Sequence, residues 1–308
     1  MYSRNSPVLL IAVGLLAACG GGGSGGNSEM MPIQFTSFSA VRSNQPVQAS
    51  GISQTLSAAT LLGGAIQSTT INAADTANSS AQMIFSGTAM SAFSFSTPTS
   101  SVNFSGSSVQ CPPGTGLCRG SSTGTQAVII NPLDAPTPVL AWNYQSFGYW
   151  LVIGSGSNTD AGVMSFGTLT PVAGIPVMGT ATYRGLSGGI YVDQSGATFV
   201  HAAQMQSTVD FGPARSIAFS TSNTTLAPSS AVAPVPFPAL NLTGNLTITN
   251  GSNQFSGPLS APGGGGTAAM VGTASGNFYG PTAQEIGGIF SLKGTGPQTI
   301  LGGFGGKQ

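Results

Sequence analysis

From Val177 to the end of the chain, apolar and polar residues alternate with a period of two. Gly179, Ala181 and Tyr183 interleave with Thr180, Thr182 and Arg184, while Phe199, His201, Ala203, Met205, Val209 and Phe211 oppose Gln204, Gln206, Thr208 and Asp210. Such alternation describes strands with one buried face. Leu240, Leu242, Leu246 and Ile248 form another apolar face, which stops at Asn250-Gly251, a dipeptide suited to a hairpin turn. Farther on, Ala274, Gly276 and Phe278 precede a Gly280-Pro281 break, and Ile286, Gly288, Phe290 and Leu292 follow it. Together with Phe255 to Leu259 and Ile300 to Phe304, these runs make about eight strands in consecutive hairpins, which predicts a closed antiparallel β-barrel filled by side chains.

The pattern before Val177 is less regular. Phe35 to Val41, Met83 to Phe85, Phe93 to Phe95 and Ala127 to Ile130 read as short strands between Ser, Thr, Gly and Asn clusters. Gln54 to Ala65 predicts a helix, with Leu56, Ala59, Leu61 and Leu62 on one side, although Gly63-Gly64 weakens it. Trp142 to Trp150 alternates into Leu151-Val152-Ile153, either as a core strand or as an aromatic binding platform. Pro171 and Pro176 interrupt residues 168–177, because proline removes a backbone donor. The expected organisation is therefore mainly all-β, with a β-rich region over 33–170 and the barrel over 175–308.

The N-terminus has a different character. Arg4 and the apolar run Val8 to Ala18 form the n- and h-regions of a removable signal peptide over residues 1–18, too short to cross about 30 Å of hydrocarbon as a helix. Leu16-Ala17-Ala18-Cys19 looks like a bacterial lipobox, which would make Cys19 the diacylated (palmitate-type) mature N-terminus; the alternative is a plain secretory signal with an incidental cysteine. Two acyl chains anchor a protein stably where one does not. Gly20 stands where an Asp would signal retention in the inner membrane, so an outer-membrane destination is open. Residues 19–32 form a lipidated Gly/Ser tether.

Composition narrows the partners. Charged residues make up 5% of the chain, against about 25% in ordinary domains. Without Arg4, six basic residues face seven acidic ones, so no field exists to attract nucleic acid. Sixteen Phe argue against disorder. Cys111 and Cys118 enclose a turn-rich loop, and in an oxidising compartment they are expected to form a disulfide.

Catalytic chemistry has few candidates. The chain has one His, His201. Gly185-Leu186-Ser187-Gly188-Gly189 matches a nucleophile elbow literally, but it lies between β-runs where an elbow needs a strand-to-helix turn. Asp193, Asp210 and Glu285 are isolated in sequence, Glu285 reading as a loop hydrogen-bonder, and the inventory does not fill a zinc site. His201 or a tyrosine could ligate haem, although a lone His on an apolar strand face is ordinarily a packed residue. The expectation is no enzyme, with no catalytic, cofactor or metal residues.

Gly276-Asn277-Phe278-Tyr279-Gly280-Pro281-Thr282-Ala283-Gln284-Glu285-Ile286-Gly287-Gly288-Ile289-Phe290 and the tail Gly302-Gly303-Phe304-Gly305-Gly306-Lys307 resemble the closing strands of the C-terminal barrel in transferrin-binding protein B-like surface lipoproteins. Met178 to Gly185, Val209 to Gly212 and Leu242 to Thr247 also resemble that family's barrel strands, and the aromatic block more loosely resembles the strand closing its smaller handle domain. The resemblance implies a handle-like domain followed by a barrel, lipid-anchored in the outer membrane and displayed at the cell surface. It further implies non-catalytic capture of a host or environmental protein, or haem, for nutrient or iron acquisition. The alternative is a structural or interaction lipoprotein of the envelope with no nutrient ligand. No ligand-binding residue carries over, and the low charge departs from the highly charged members that grip transferrin.

Overall fold

The alternation after Val177 becomes a closed barrel. The computed structural model describes residues 31–60, 65–153, 158–228 and 233–308. Eight strands close the ring: β12 (Thr180–Val192), β13 (Thr198–Asp210), β14 (Ser216–Ala227), β16 (Thr243–Ile248), β17 (Gln254–Ala261), β18 (Met270–Tyr279), β19 (Glu285–Lys293) and β20 (Thr299–Lys307), with β15 (Val235–Pro236) as a short addition to β14. The last strand pairs antiparallel with both β12 and β19, and β13 pairs with β14, so no edge is left. Asn250-Gly251 lies in the β16–β17 turn, where Gly251 takes φ +67°.

Each of the eight strands sends a large side chain inward: Tyr183, Met205, Phe219, Leu246, Phe255, Phe278, Phe290 and Phe304 share one buried cluster. Phe278 has its ring centroid 5.4 Å from those of Phe211 and Phe255, and Phe304 lies 4.9 Å from Phe219 in edge-to-face contact. The alternation holds strictly on β13, where His201, Ala203, Met205, Ser207 and Val209 are buried while Ala202, Gln204, Gln206 and Thr208 are exposed. It fails on β19 and β20, which are buried on both faces, because a second sheet covers their outer side.

That second sheet has eleven strands. They are β1 (Ile33–Gln34), β2 (Val47–Thr60), β3 (Ile66–Ile71), β4 (Asp75–Ser86), β5 (Ala89–Ser96), β6 (Ser101–Ser105), β7 (Val109–Gln110), β8 (Leu117–Ser122), β9 (Thr125–Ile130), β10 (Gln145–Ile153) and β11 (Asn158–Gly167). It curls round its own aromatic core of Phe85, Phe93, Phe95, Phe104, Trp150 and Phe166 into a nearly closed barrel. The Phe104 ring of β6 lies directly on Gly120 of β8, where any Cβ would collide with it. Packing therefore does at this gap what hydrogen bonds do in the complete barrel.

Two expectations from the sequence are corrected here. The helix over Gln54 to Ala65 is strand β2 as far as Thr60; residues 61–64 lie outside the described residues. Nine consecutive pairings with β11, from Gly51 with Phe166 to Ala59 with Asn158, overrule the helical preference of Leu and Ala. Phe35 to Val41 is not a strand either: Phe38–Ala40 forms a 3-10 turn. The three-residue spacing of that turn lets Phe35 and Phe38, both buried, meet at 4.9 Å.

Cys111 and Cys118 form a disulfide across the loop between β7 and β8, with Cα atoms 4.2 Å apart. In the chain-entropy description, a loop this short contributes about 2 kcal/mol. The Cys111→Ser/Cys118→Ser variant should therefore show a lower urea midpoint at unchanged slope, worth about 2 kcal/mol. An unchanged midpoint would show that the bond does not stabilise the fold.

Candidate functional site

The barrel face covered by the second sheet forms a tightly packed seam. Ile190, Val192, Ile289 and Leu301 point outward from β12, β19 and β20 and join Ile52, Leu56, Ala161 and Val163 in one buried cluster. Glycines set the spacing. A Cβ on Gly303 would stand 2.8 Å from Phe147, and one on Gly305 would collide with the Gln145 amide.

Glu285 sits at the head of β19, 3% exposed. Its Oε1 accepts the Asn143 N–H at 2.5 Å, and its Oε2 accepts the Tyr144 and Gln145 N–H groups at 2.9 and 3.0 Å. One carboxylate thus holds the segment that opens β10 in the facing sheet. Burial pushes this carboxyl up to about 7, against the pull of the three amide donors and of Lys307, its cross-strand partner. Around it, Tyr279 Oη and Ser165 Oγ are 3.0 Å apart, and Lys307 Nζ donates to the Ala141 carbonyl at 3.1 Å. At the other end of the seam, Lys293 Nζ donates to the Thr69 carbonyl at 2.6 Å. From the sequence Glu285 is expected in a loop; it is a strand residue whose partners are more than a hundred positions away, and the one local sign of its role is a carboxylate beside an apolar run.

The aromatic block resolves in favour of packing. Trp142, Phe147 and Trp150 are buried, Trp150 stacks on Phe95 at 5.1 Å, and the Trp142 indole N–H donates to the Val139 carbonyl at 2.9 Å. Gln145, within the same block, is fully buried, and neither amide atom has a hydrogen-bond partner.

Ser187 and His201 both point into the barrel from adjacent strands, paired respectively with Ala203 and Gly189. They do not bond to each other: Ser187 Oγ and His201 Nε2 are both buried without a partner. The elbow sequence lies within strand β12, so the strand-to-helix turn that would present a nucleophile is missing there. Burial holds His201 down to about 3, leaving a neutral ring packed on Gly189 and Gly302 and 5.9 Å from Phe290. Enclosed in this way, His201 offers no face to a haem. Among the described residues, no group of three His, Cys, Asp or Glu is arranged to hold a metal ion. Cys19 lies outside the described residues.

On the exposed side, β14, β16, β17 and β18 frame a shallow depression of ≈ 580 Å³. Thr243, Asn245, Pro258, Ser260 and Val271 line its surface, and no charged residue contributes. Its chemistry is limited to neutral hydrogen bonding and apolar contact.

Arrangement and seam together define a class: an all-β protein with a side-chain-filled barrel, clasped by a second curled sheet. Residues 175–308, the barrel, match the family described as the C-lobe and N-lobe beta barrels of Tf-binding protein B. Among solved structures it is similar to a point mutant of the vaccine antigen Transferrin Binding Protein B from Haemophilus parasuis Hp5, at 19% identity over 83% of this chain and 45% of that one, with TM-score 0.47. It is also similar to isotype 1 Transferrin binding protein B from serogroup B Neisseria meningitidis (19% identity, 83% and 43% covered, TM-score 0.45). A point mutant of the same antigen from Actinobacillus pleuropneumoniae H49 gives 15% identity, 84% and 99% coverage and TM-score 0.45. The chain thus spans less than half the length of the first two. No curated protein matches it significantly in sequence.

Proposed function

We propose that this chain is a lipid-anchored protein of the outer-membrane surface that captures a ligand without transforming it. The observation that carries the reading is the match of residues 175–308 to the transferrin-binding protein B barrels. The Leu16 to Cys19 lipobox supports it by supplying an anchor, with Cys19 as the acylated residue and residues 19–32 as the tether. Residues 33–170 act as the handle-like domain and 175–308 as the barrel. The ligand is a host or environmental protein, or haem bound by groups other than His201, taken up for nutrient or iron acquisition.

The scarcity of charge favours a second reading. With 5% charged residues, the surface is poorly equipped for electrostatic steering, and a lipoprotein holding a neutral neighbour at the envelope would need none.

Metabolic acyl labelling should mark the protein and fail in Cys19→Ser, and protease added to intact cells should digest it. Immobilised chain should then retain a serum or environmental protein, or haem, at micromolar concentration. Retention of none of these, together with co-purification of an envelope protein, would replace capture with the second reading.

A further inference from the structure

We propose that the end of the molecule bearing Leu169, Val172, Val177 and Met178 rests on the lipid surface of the anchoring membrane. These four residues are exposed, Val177 and Met178 each at 76%, and all belong to the connection between β11 and β12. That connection runs across one end of the barrel. Thr170 Oγ1 donates to the Gly280 carbonyl in the β18–β19 turn at 2.7 Å, and the Phe211 N–H donates to the Gly179 carbonyl at 3.0 Å beside the β13–β14 turn. Exposed Pro213, Ala214 and Pro281 continue the surface. No charged residue occurs between Asp160 and Arg184. Exposed apolar residues grouped at one end of a molecule mark a contact surface; here the patch is bordered by Asp210 and Arg215, half-buried on either side of the β13–β14 turn.

The path of the chain says what that contact is. Thr168 Oγ1 donates to the Phe35 and Thr36 carbonyls at 3.1 and 2.7 Å, so the first strand lies beside the connection. β1 runs parallel to β2, with Ile33 level with Val47, beyond the end of the β2–β11 pairing. Exposed Met31 and Ile33 are therefore at the same end, and the segment leading back to Cys19 leaves the body there. A Gly/Ser-rich sequence of about twelve residues, such as the one between Cys19 and Met31, has by its composition a reach of roughly 17–21 Å. On the anchoring read proposed above, the lipid thus holds this apolar end close to the bilayer, where neutral side chains enter the interface without a desolvation cost for charge.

The test uses the full chain with Cys19→Ser, in which the Cys111–Cys118 disulfide leaves no free thiol, and places a fluorophore either at Val177→Cys or at Val235→Cys, at the opposite end of the barrel. Phosphatidylcholine vesicles carrying a headgroup nitroxide should quench the Val177 probe saturably, at least about threefold more than the Val235 probe, and added salt should leave this unchanged. Val172→Asp with Met178→Asp should weaken vesicle binding at least about tenfold at unchanged melting temperature. Equal quenching at both sites, or none, overturns the proposal. So does shielding of the Val177 probe that needs no lipid and grows with protein concentration, which would mean that a second copy covers this end. Failure of the anchoring read shows separately, as the absence of acyl label at Cys19.

Discussion

Replacing Glu285 by alanine should lower the stability of the fold by about 3–5 kcal/mol, the cost of removing one partner from a buried, charged hydrogen-bond network. The estimate follows from what remains. The Asn143, Tyr144 and Gln145 N–H groups all donate to this one side chain, and each buried amide left without an acceptor costs about 1–3 kcal/mol. Some of that is recovered if water enters the space. Glu285→Gln should cost less, because its single carbonyl oxygen still serves the donors at the Oε2 position, while its NH₂ faces the Asn143 N–H as a second donor. Urea unfolding followed by tryptophan fluorescence is the appropriate measurement, since Trp142 and Trp150 lie in or beside the segment that Glu285 holds. A loss under about 1 kcal/mol for the alanine variant would show that the carboxylate does not bind the two sheets together.

Acid should unfold the protein through His201. Its folded value, about 3, lies below the ordinary 6.5 because burial disfavours the charged ring. The unfolded chain therefore binds the extra proton first, and stability is complete above pH 6.5 and falls as pH drops towards 3. The full shift corresponds to a loss on the order of 5 kcal/mol. Glu285 works in the opposite sense. With its folded value raised from 4.5 to about 7, it favours the folded state below pH 4.5 and loses that contribution as pH rises through 7. The two slopes oppose one another between pH 4.5 and 6.5, so stability should be nearly flat there and drop steeply below it. His201→Leu should remove most of the acid limb while leaving the alkaline side in place. Melting temperatures of both proteins from pH 3 to 8 would check this, and parallel acid limbs would rule out His201 as the origin.

How much could be read from the sequence follows from how many faces of each strand meet water. β13, with one face inside and one in solvent, is legible residue by residue. β19 and β20 read as strands, but nothing in their pattern tells that both faces are buried: the run Ile300-Leu301-Gly302-Gly303-Phe304-Gly305-Gly306 reads the same whether its glycines admit a neighbouring sheet or sit at bends. β2 reads as a helix because Leu56, Ala59, Leu61 and Leu62 fall on one helical side, and the pairing that decides otherwise comes from β11, about a hundred positions later. Gly185 to Gly189 reads as a stretch between β-runs but lies within strand β12, whereas the reading of His201 as a packed side chain agrees with its position against Gly189, Gly302 and Phe290. The Glu285 clasp and the buried Gln145 depend on contacts between sheets, which no local spacing encodes.

Pairing β20 with β12 joins residues roughly 115 positions apart, and this sets the order in which the ring can form. Loop closure over that distance is slow compared with hairpin formation, so the hairpins from β12 to β19 can assemble while two strand edges still await their partner. A formal net charge of +0 gives neighbouring chains in that state little mutual repulsion. The species most exposed to association between molecules is thus the ring one strand short of completion, a kinetic hazard that the equilibrium stability of the finished fold does not reveal.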